Sequence, residues 1–288
     1  MRERFRVNSV TEKRKAQISL VNGILEEYNA EGYTLTLRQI YYQLVARGII
    51  KNNPNEYKRV SKTLEIGRYN GLIDWAMIED RTRIPYLDYY VDSIQNALED
   101  TVKHFKYDRQ EGQPYHMEIW TEKDAVSNIL RRVSEYYHVE LMVNRGFSSH
   151  SAFYDASKRK ADCPTVILYV GDHDPSGLDM IRDIRIKLHE LGVCEFEVVP
   201  VALTMNQIQQ HELPSNPIKI KDPRAWEYLR KHGESSWELD ALAPRTLEEI
   251  VRSAVLDVLD EETFKEVLVH EKEDRENLRL MVEEMLSK

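Results

Sequence analysis

VILYVGDHDPSGLDM, Val166 to Met180, is an apolar run that ends at two aspartates, Asp172 and Asp174, with only His173 between them. Side chains alternate along a strand, so the two carboxylates project to the same side of the backbone, while Pro175 and Gly177 turn the chain into a helix. An all-oxygen pair in that position suits a hard divalent cation such as magnesium. Taken alone, the pair fits a solvated turn equally well. His173 is expected as a turn residue, since magnesium prefers oxygen.

A second junction of the same kind lies upstream. In HMEIWTEKDAVSNIL an extended start, 117–121, gives way at Glu122 to a helix carrying Ala125, Val126, Ile129 and Leu130 at helical spacing. In an open parallel sheet the carboxyl ends of neighbouring strands converge on one crevice. Glu122, Asp172 and Asp174 are therefore candidates for one metal site. Further strands are expected near 139–144, 165–171 and 195–202, with helices between them; this alternation predicts an α/β fold with a mostly parallel, doubly wound sheet. From Trp237 onward the chain reads as helices.

The first hundred residues differ. Helices are expected over 9–28, 35–47 and 56–69, the last capped by Asn52-Asn53-Pro54-Asn55, followed by a small hairpin over 72–83 and a connecting helix over 85–106. Three helices and a hairpin are in the order of a winged helix. The polar stretch 107–114 is the expected boundary between a first domain, 1–106, and a second, 115–288. Leu37, Ile40, Tyr41 and Leu44 form one apolar stripe, which makes Tyr41 a core aromatic. Tyr42 lies beside the stripe, one turn after Arg38, so Arg38 can hold a phosphate that the Tyr42 hydroxyl attacks; the other reading is an ordinary surface or interface tyrosine.

At 288 residues with 42% hydrophobic composition, the chain can bury a sizeable core. It has no apolar stretch of membrane-spanning length and no signal-peptide core, so a cytoplasmic protein without membrane association is expected. Net charge is -9, but residues 1–62 hold twelve Lys/Arg against six Asp/Glu, and residues 240–288 hold seven against fourteen. Overall acidity thus leaves room for a basic groove at one end. Lys58, Arg59, Lys62 and Arg68 on the third helix, with Arg81 and Arg83 in the hairpin, are the candidate DNA-phosphate contacts; a solvated helix face is the alternative. Lys123 is a candidate phosphate contact or a charge partner of its acidic neighbours. Cys163 and Cys194 are expected as buried thiols, His150 as an N-terminal helix residue, and Trp120, Trp226 and Trp237 as packing.

Taken together, the Arg-x-x-Tyr-Tyr helix, Glu-Lys-Asp-Ala-Val after a strand, and Asp-x-Asp-Pro-x-Gly resemble the A subunit of type IIB DNA topoisomerases (topoisomerase VI) and the meiotic double-strand-break proteins, over about Thr34 to Val255. Gly146 and WELDAL at 237–242 resemble further elements of that family. The resemblance implies a winged-helix domain followed by a Rossmann-like TOPRIM domain with a helical tail. It implies that Tyr42 attacks a phosphate of double-stranded DNA to form a 5' phosphotyrosyl link, that Glu122, Asp172 and Asp174 bind Mg2+, and that Glu122 serves as general acid or base or as a ligand only. It also implies a homodimer in which the tyrosine of one subunit meets the metal site of the other. The segment before Tyr42 is shorter than in the family, and a proline after the Gly146 position is replaced by Phe147, Ser148 and Ser149. An ATPase B-type partner is therefore not expected, and a short stand-alone A-like protein fits better. Two other functions stay open: a TOPRIM nuclease using metal-activated water, and a non-catalytic DNA-binding protein.

Overall fold

The computed structural model describes residues 2, 4, 5, 9–79, 90–143, 150–159, 163–218 and 225–287. The first part holds α1 (Glu12–Ala30), β1 (Leu35–Thr36), α2 (Leu37–Ala46), α3 (Pro54–Tyr69), β2 (Ile78–Glu79) and α4 (Ile94–His104). Helix α2 begins at a capping box in which Thr36 and Gln39 satisfy each other's backbone N–H groups, and α3 begins with Asn53 accepting from the Glu56 N–H, followed by Pro54. Helices α1, α2 and α3 pack on one another through Ile18, Val21, Leu25, Ile40, Leu44, Val60 and Leu64.

The expected hairpin over 72–83 is not what the described part of that stretch forms. Asp74 accepts from the Ala76 N–H and caps a 3-10 turn at Trp75–Met77, after which β2 pairs in parallel with β1. Arg81 and Arg83 lie outside the described residues.

The rest comprises β3 (His116–Thr121), α5 (Ser127–Tyr137), β4 (Glu140–Val143), α6 (His150–Lys158), β5 (Thr165–Val170), α7 (Pro175–Glu190), β6 (Phe196–Ala202), α8 (Met205–Gln210), β7 (Asn216–Pro217), α9 (Ala225–His232), β8 (Ser235–Ser236), α10 (Pro244–Leu256) and α11 (Glu261–Leu286). Strands β4, β3, β5 and β6 form, in that order, a sheet in which every pairing is parallel. The central strand β5, TVILYV, reads as an almost unbroken apolar run because both faces are covered. Ile119, Leu168 and Val170 face α5 and α10, whereas Trp120, Ile167, Tyr169 and Val198 face α6 and α7. The chain goes from β3 out to β4 and then returns to β5 on the other side of β3. A crevice thus opens between the carboxyl ends of β3 and β5.

One hydrophobic cluster runs from Ile18 in α1 through Ile119 in β3 to Phe264 in α11, crossing the 107–114 segment. That segment is tied to α11, since Arg109 Nη2 lies 2.8 Å from Glu271 Oε1 and Gln113 accepts from the Asp260 N–H. Trp120 is fully buried, but Trp226 is exposed on α9, Cys163 is half-buried and Cys194 exposed. Trp226 falls on the outer face of its helix, and Cys194 in the turn leaving α7, where no apolar layer covers it. No helix among the described residues is long and apolar enough to cross a membrane.

Candidate functional site

The turns after β3 and β5 and the segment 237–242 meet in the crevice. His173 pairs with Trp237 as an antiparallel bridge, through His173 N–H to Trp237 O at 2.9 Å and the reverse bond at 3.0 Å. His173 is buried, with its Nδ1 2.7 Å from the Tyr228 hydroxyl and His232 and Trp237 edge-on to its ring. It is thus more than a turn residue: it pins the Asp172–Asp174 turn to the segment bearing Glu238 and Asp240. Next to it, Asp172 Oδ1 accepts from the Leu239 N–H at 2.7 Å.

Lys123 is the hub of the site. Its ammonium lies 2.6 Å from Asp172 Oδ1 and 2.7 Å from Asp240 Oδ2, and it also donates to Glu238. Arg38 approaches the same acids from α2, at 2.6 Å from Glu238 Oε2 and 2.9 Å from Asp240 Oδ2. Lys123 thus acts as a charge partner in this structure, and so does Arg38. Burial opposes ionisation of Glu238, but Lys123 and Arg38 overcome it and hold its carboxyl down at about 2. Burial pushes Asp172 well above the carboxylate range, with Lys123 offsetting only part and Glu238 and Asp240 adding to the rise.

Tyr42 closes the other side of this network. It is buried, with its hydroxyl 3.4 Å from Asn216 Nδ2 and the Arg38 guanidinium 5.5 Å from its ring centre. Burial, then the charge of Glu238, raises the phenol to about 12 against the opposing pull of Asn216, Arg38 and Lys123. The tyrosine and the β5 carboxylate are therefore linked within one chain, through Arg38, Glu238 and Lys123. Tyr41 is in the core as expected, its hydroxyl donating to Asn52 Oδ1 at 2.9 Å.

Glu122, Asp172 and Asp174 are the three acids whose charge acts on the Tyr169 hydroxyl, which is buried without a hydrogen-bond partner among the described residues. Asp174 also caps α7, accepting from the Gly177 N–H at 2.7 Å. The donors fit a hard cation in kind, since all are carboxylate oxygens. Of the neighbouring acids, Asp172, Glu238 and Asp240 share Lys123, and Glu238 and Asp240 share Arg38 as well. Among the described residues, however, the group whose donor atoms lie within 4.8 Å of one another is a different one: His116, Glu118 and Glu140, at the opposite end of the sheet. There Arg159 occupies the centre, 2.6 Å from Glu118 Oε2 and 2.7 Å from Glu140 Oε2, so that group is an ion-pair network.

On α3, Lys58, Arg59 and Lys62 are exposed. Arg59 and Lys62 are each 2.8 Å from a carboxylate one turn away, Glu56 and Glu65. Arg68 instead lies over the Trp75 ring, 4.3 Å from its centre. Glu238, Asp240, Asn216 and Tyr169 are the residues of the site that local sequence patterns leave unassigned; WELDAL is the one signal that points to any of them. No known protein family matches the chain, and no curated protein aligns with it.

Proposed function

We propose that the protein cleaves double-stranded DNA by tyrosine transesterification with a magnesium ion, in the manner of a type IIB topoisomerase A subunit, with α1 to α3 as a winged-helix domain and the parallel sheet as a TOPRIM domain. One observation carries this reading: Arg38 and Tyr42 on α2 share a partly buried charge network with Lys123 and Asp172 at the carboxyl ends of β3 and β5. A core needs no such convergence of tyrosine, cations and acids from segments this far apart in sequence, and each buried charge costs free energy unless it is paired.

Glu122, Asp172 and Asp174 would hold the ion, which supplies positive charge to the phosphate oxygens. The Tyr42 Oη gives its proton to water and bonds to phosphorus as the bond to the 3' oxygen breaks; that oxygen takes a proton from water, or from Glu122 where Glu122 serves as general acid instead of ligand. Arg38 exchanges its carboxylate partners for the phosphate, which brings its charge to the developing phenolate. Lys123 keeps Asp172 and Asp240 compensated meanwhile. Two copies serve the two strands, and the exposed Ile94, Met281 and Met285 on α4 and α11 offer an apolar face for pairing.

A hydrolytic nuclease is the second reading, favoured by the Tyr42 phenol being held protonated. Supercoiled plasmid incubated with protein and magnesium and stopped with detergent separates the two. Protein-linked ends that vanish in Tyr42→Phe and in Asp172→Ala are expected; free ends that survive Tyr42→Phe but not Asp172→Ala would establish hydrolysis instead.

A further inference from the structure

Among the described residues, the Tyr42 Oη takes its hydrogen bond from Asn216, whose Nδ2 lies 3.4 Å away. Catalytic hydrogen bonds are often this long before substrate draws them in. The Arg38 guanidinium lies over the face of the Tyr42 ring instead. Asn216 is therefore the side chain on the attacking oxygen itself.

An asparagine amide donates at one end and accepts at the other, so its orientation decides what it does. Here that orientation is set by its neighbours. Asn52 Oδ1 accepts from the Tyr41 hydroxyl at 2.9 Å, and Asn52 Nδ2 faces the Ser215 carbonyl oxygen at 3.5 Å, which can only accept. The same Nδ2 donates to Asn216 Oδ1. With its oxygen facing that donor, Asn216 turns its N–H groups to Tyr42. The backbone supports this placement, because Asn216 pairs with Ser236 in the β7–β8 ribbon and the Ser236 hydroxyl donates to the Asn216 carbonyl at 3.3 Å. Two residues after Ser236 comes Glu238, so the segment that braces Asn216 also presents an acid of the charge network.

We infer that Asn216 is a catalytic residue of the transesterification, its amide N–H stabilising the negative charge on Tyr42 Oη during attack, and that Asn52 and Tyr41 are positioning residues that fix the amide's orientation. The inference rests on the cleavage reading above. The phenol proton goes to water, the bond from Oη to phosphorus forms as the bond to the 3' oxygen breaks, and the Asn216 protons stay on nitrogen throughout. A donor binds a charged oxygen about twice as strongly as a neutral one. The interaction therefore grows as the phenol becomes phenolate-like, which is what lowers a barrier instead of merely holding the ring. Burial and then Glu238 raise the phenol; of the groups that oppose them, Asn216 comes ahead of Arg38 and Lys123.

Single-turnover formation of protein-linked DNA ends with magnesium tests this, in the unsubstituted protein and in Asn216→Leu, each carrying either tyrosine or a fluorinated tyrosine at position 42. Leucine keeps a similar volume and removes the donor. With tyrosine, Asn216→Leu is expected to form linked ends about tenfold more slowly at neutral pH, the worth of one hydrogen bond to a charged oxygen, at unchanged affinity for a labelled duplex. With the fluorinated ring, which ionises at lower pH unaided, the difference between the two proteins should close. A loss of the same size with either ring means that Asn216 only packs against Tyr42, and overturns the inference. An undiminished rate, or a loss traced to weaker DNA binding, overturns it as well. If Asn216→Leu does not fold, Asn52→Ala, which frees the Asn216 amide to turn, should show a smaller loss that closes in the same way; no loss, or one insensitive to the ring, overturns the inference there too. All of these outcomes leave the cleavage reading standing. Absence of protein-linked ends from the unsubstituted protein, at neutral and at alkaline pH, overturns that reading and this inference with it.

Discussion

Tyr42 is held as a phenol by its surroundings, and that sets how the proposed reaction responds to pH. With the hydroxyl raised to about 12 by burial and by Glu238, the phenolate fraction at neutral pH is small and grows with pH. If tyrosyl attack limits the rate, cleavage should climb about tenfold per unit between roughly pH 7 and 9; a flat profile over that interval in single-turnover measurements excludes it. Lys123 offers a separate test. Lys123→Met leaves Asp172, Glu238 and Asp240 buried with only Arg38 beside them, and should cost about 3–5 kcal/mol at neutral pH. The acids of that variant titrate higher in the folded than in the unfolded chain, so the folded state binds more protons and the deficit should shrink as pH falls. Urea unfolding at acidic and alkaline pH measures both effects, and a deficit independent of pH would show that these acids are not coupled to Lys123.

The elements that present these residues depend on a few backbone positions. A Cβ at Gly177 would lie 2.2 Å from the Asp172 carbonyl oxygen, so no side chain fits where the first turn of α7 folds back under the Asp172 turn. Gly177→Ala should therefore destabilise the protein by about 1–3 kcal/mol and reduce cleavage, whereas Ser176→Ala, one residue earlier, should do neither; equal melting temperatures for the two variants would contradict the tight turn. This element was legible in the sequence because an unbroken apolar run followed by Asp, Pro and Gly has few other ways to fold. The segment over 72–83 was not. Its alternating pattern describes a hairpin, but the Asp74 cap and the pairing of Ile78 with Leu35 decide its described half, and that pairing spans more than forty residues of sequence.

The whole molecule is closed by α11, whose Glu271 accepts from buried Arg109 and from Arg275. Burial raises the Glu271 carboxyl but the two arginines lower it further, so its net shift is downward. A lowered carboxyl stabilises the fold above its unfolded value of about 4, and that contribution is lost as pH falls through the folded value. Glu271→Gln should thus cost about 3 kcal/mol at pH 7, with the difference from the unsubstituted protein closing in acid; a constant difference down to pH 3 would refute the pairing. The sequence by itself determined the alternating strands, their parallel order around a crevice, and Glu122, Asp172 and Asp174 at its rim, because apolar runs and Pro/Gly turns are local signals. The tertiary structure alone decided that His173 bonds to Trp237, that Arg38 and Lys123 share Glu238 and Asp240, and that Tyr42 joins that network. Those contacts link residues more than sixty positions apart, and their partners are chosen by how the helices pack and by the cost of leaving a buried charge unpaired.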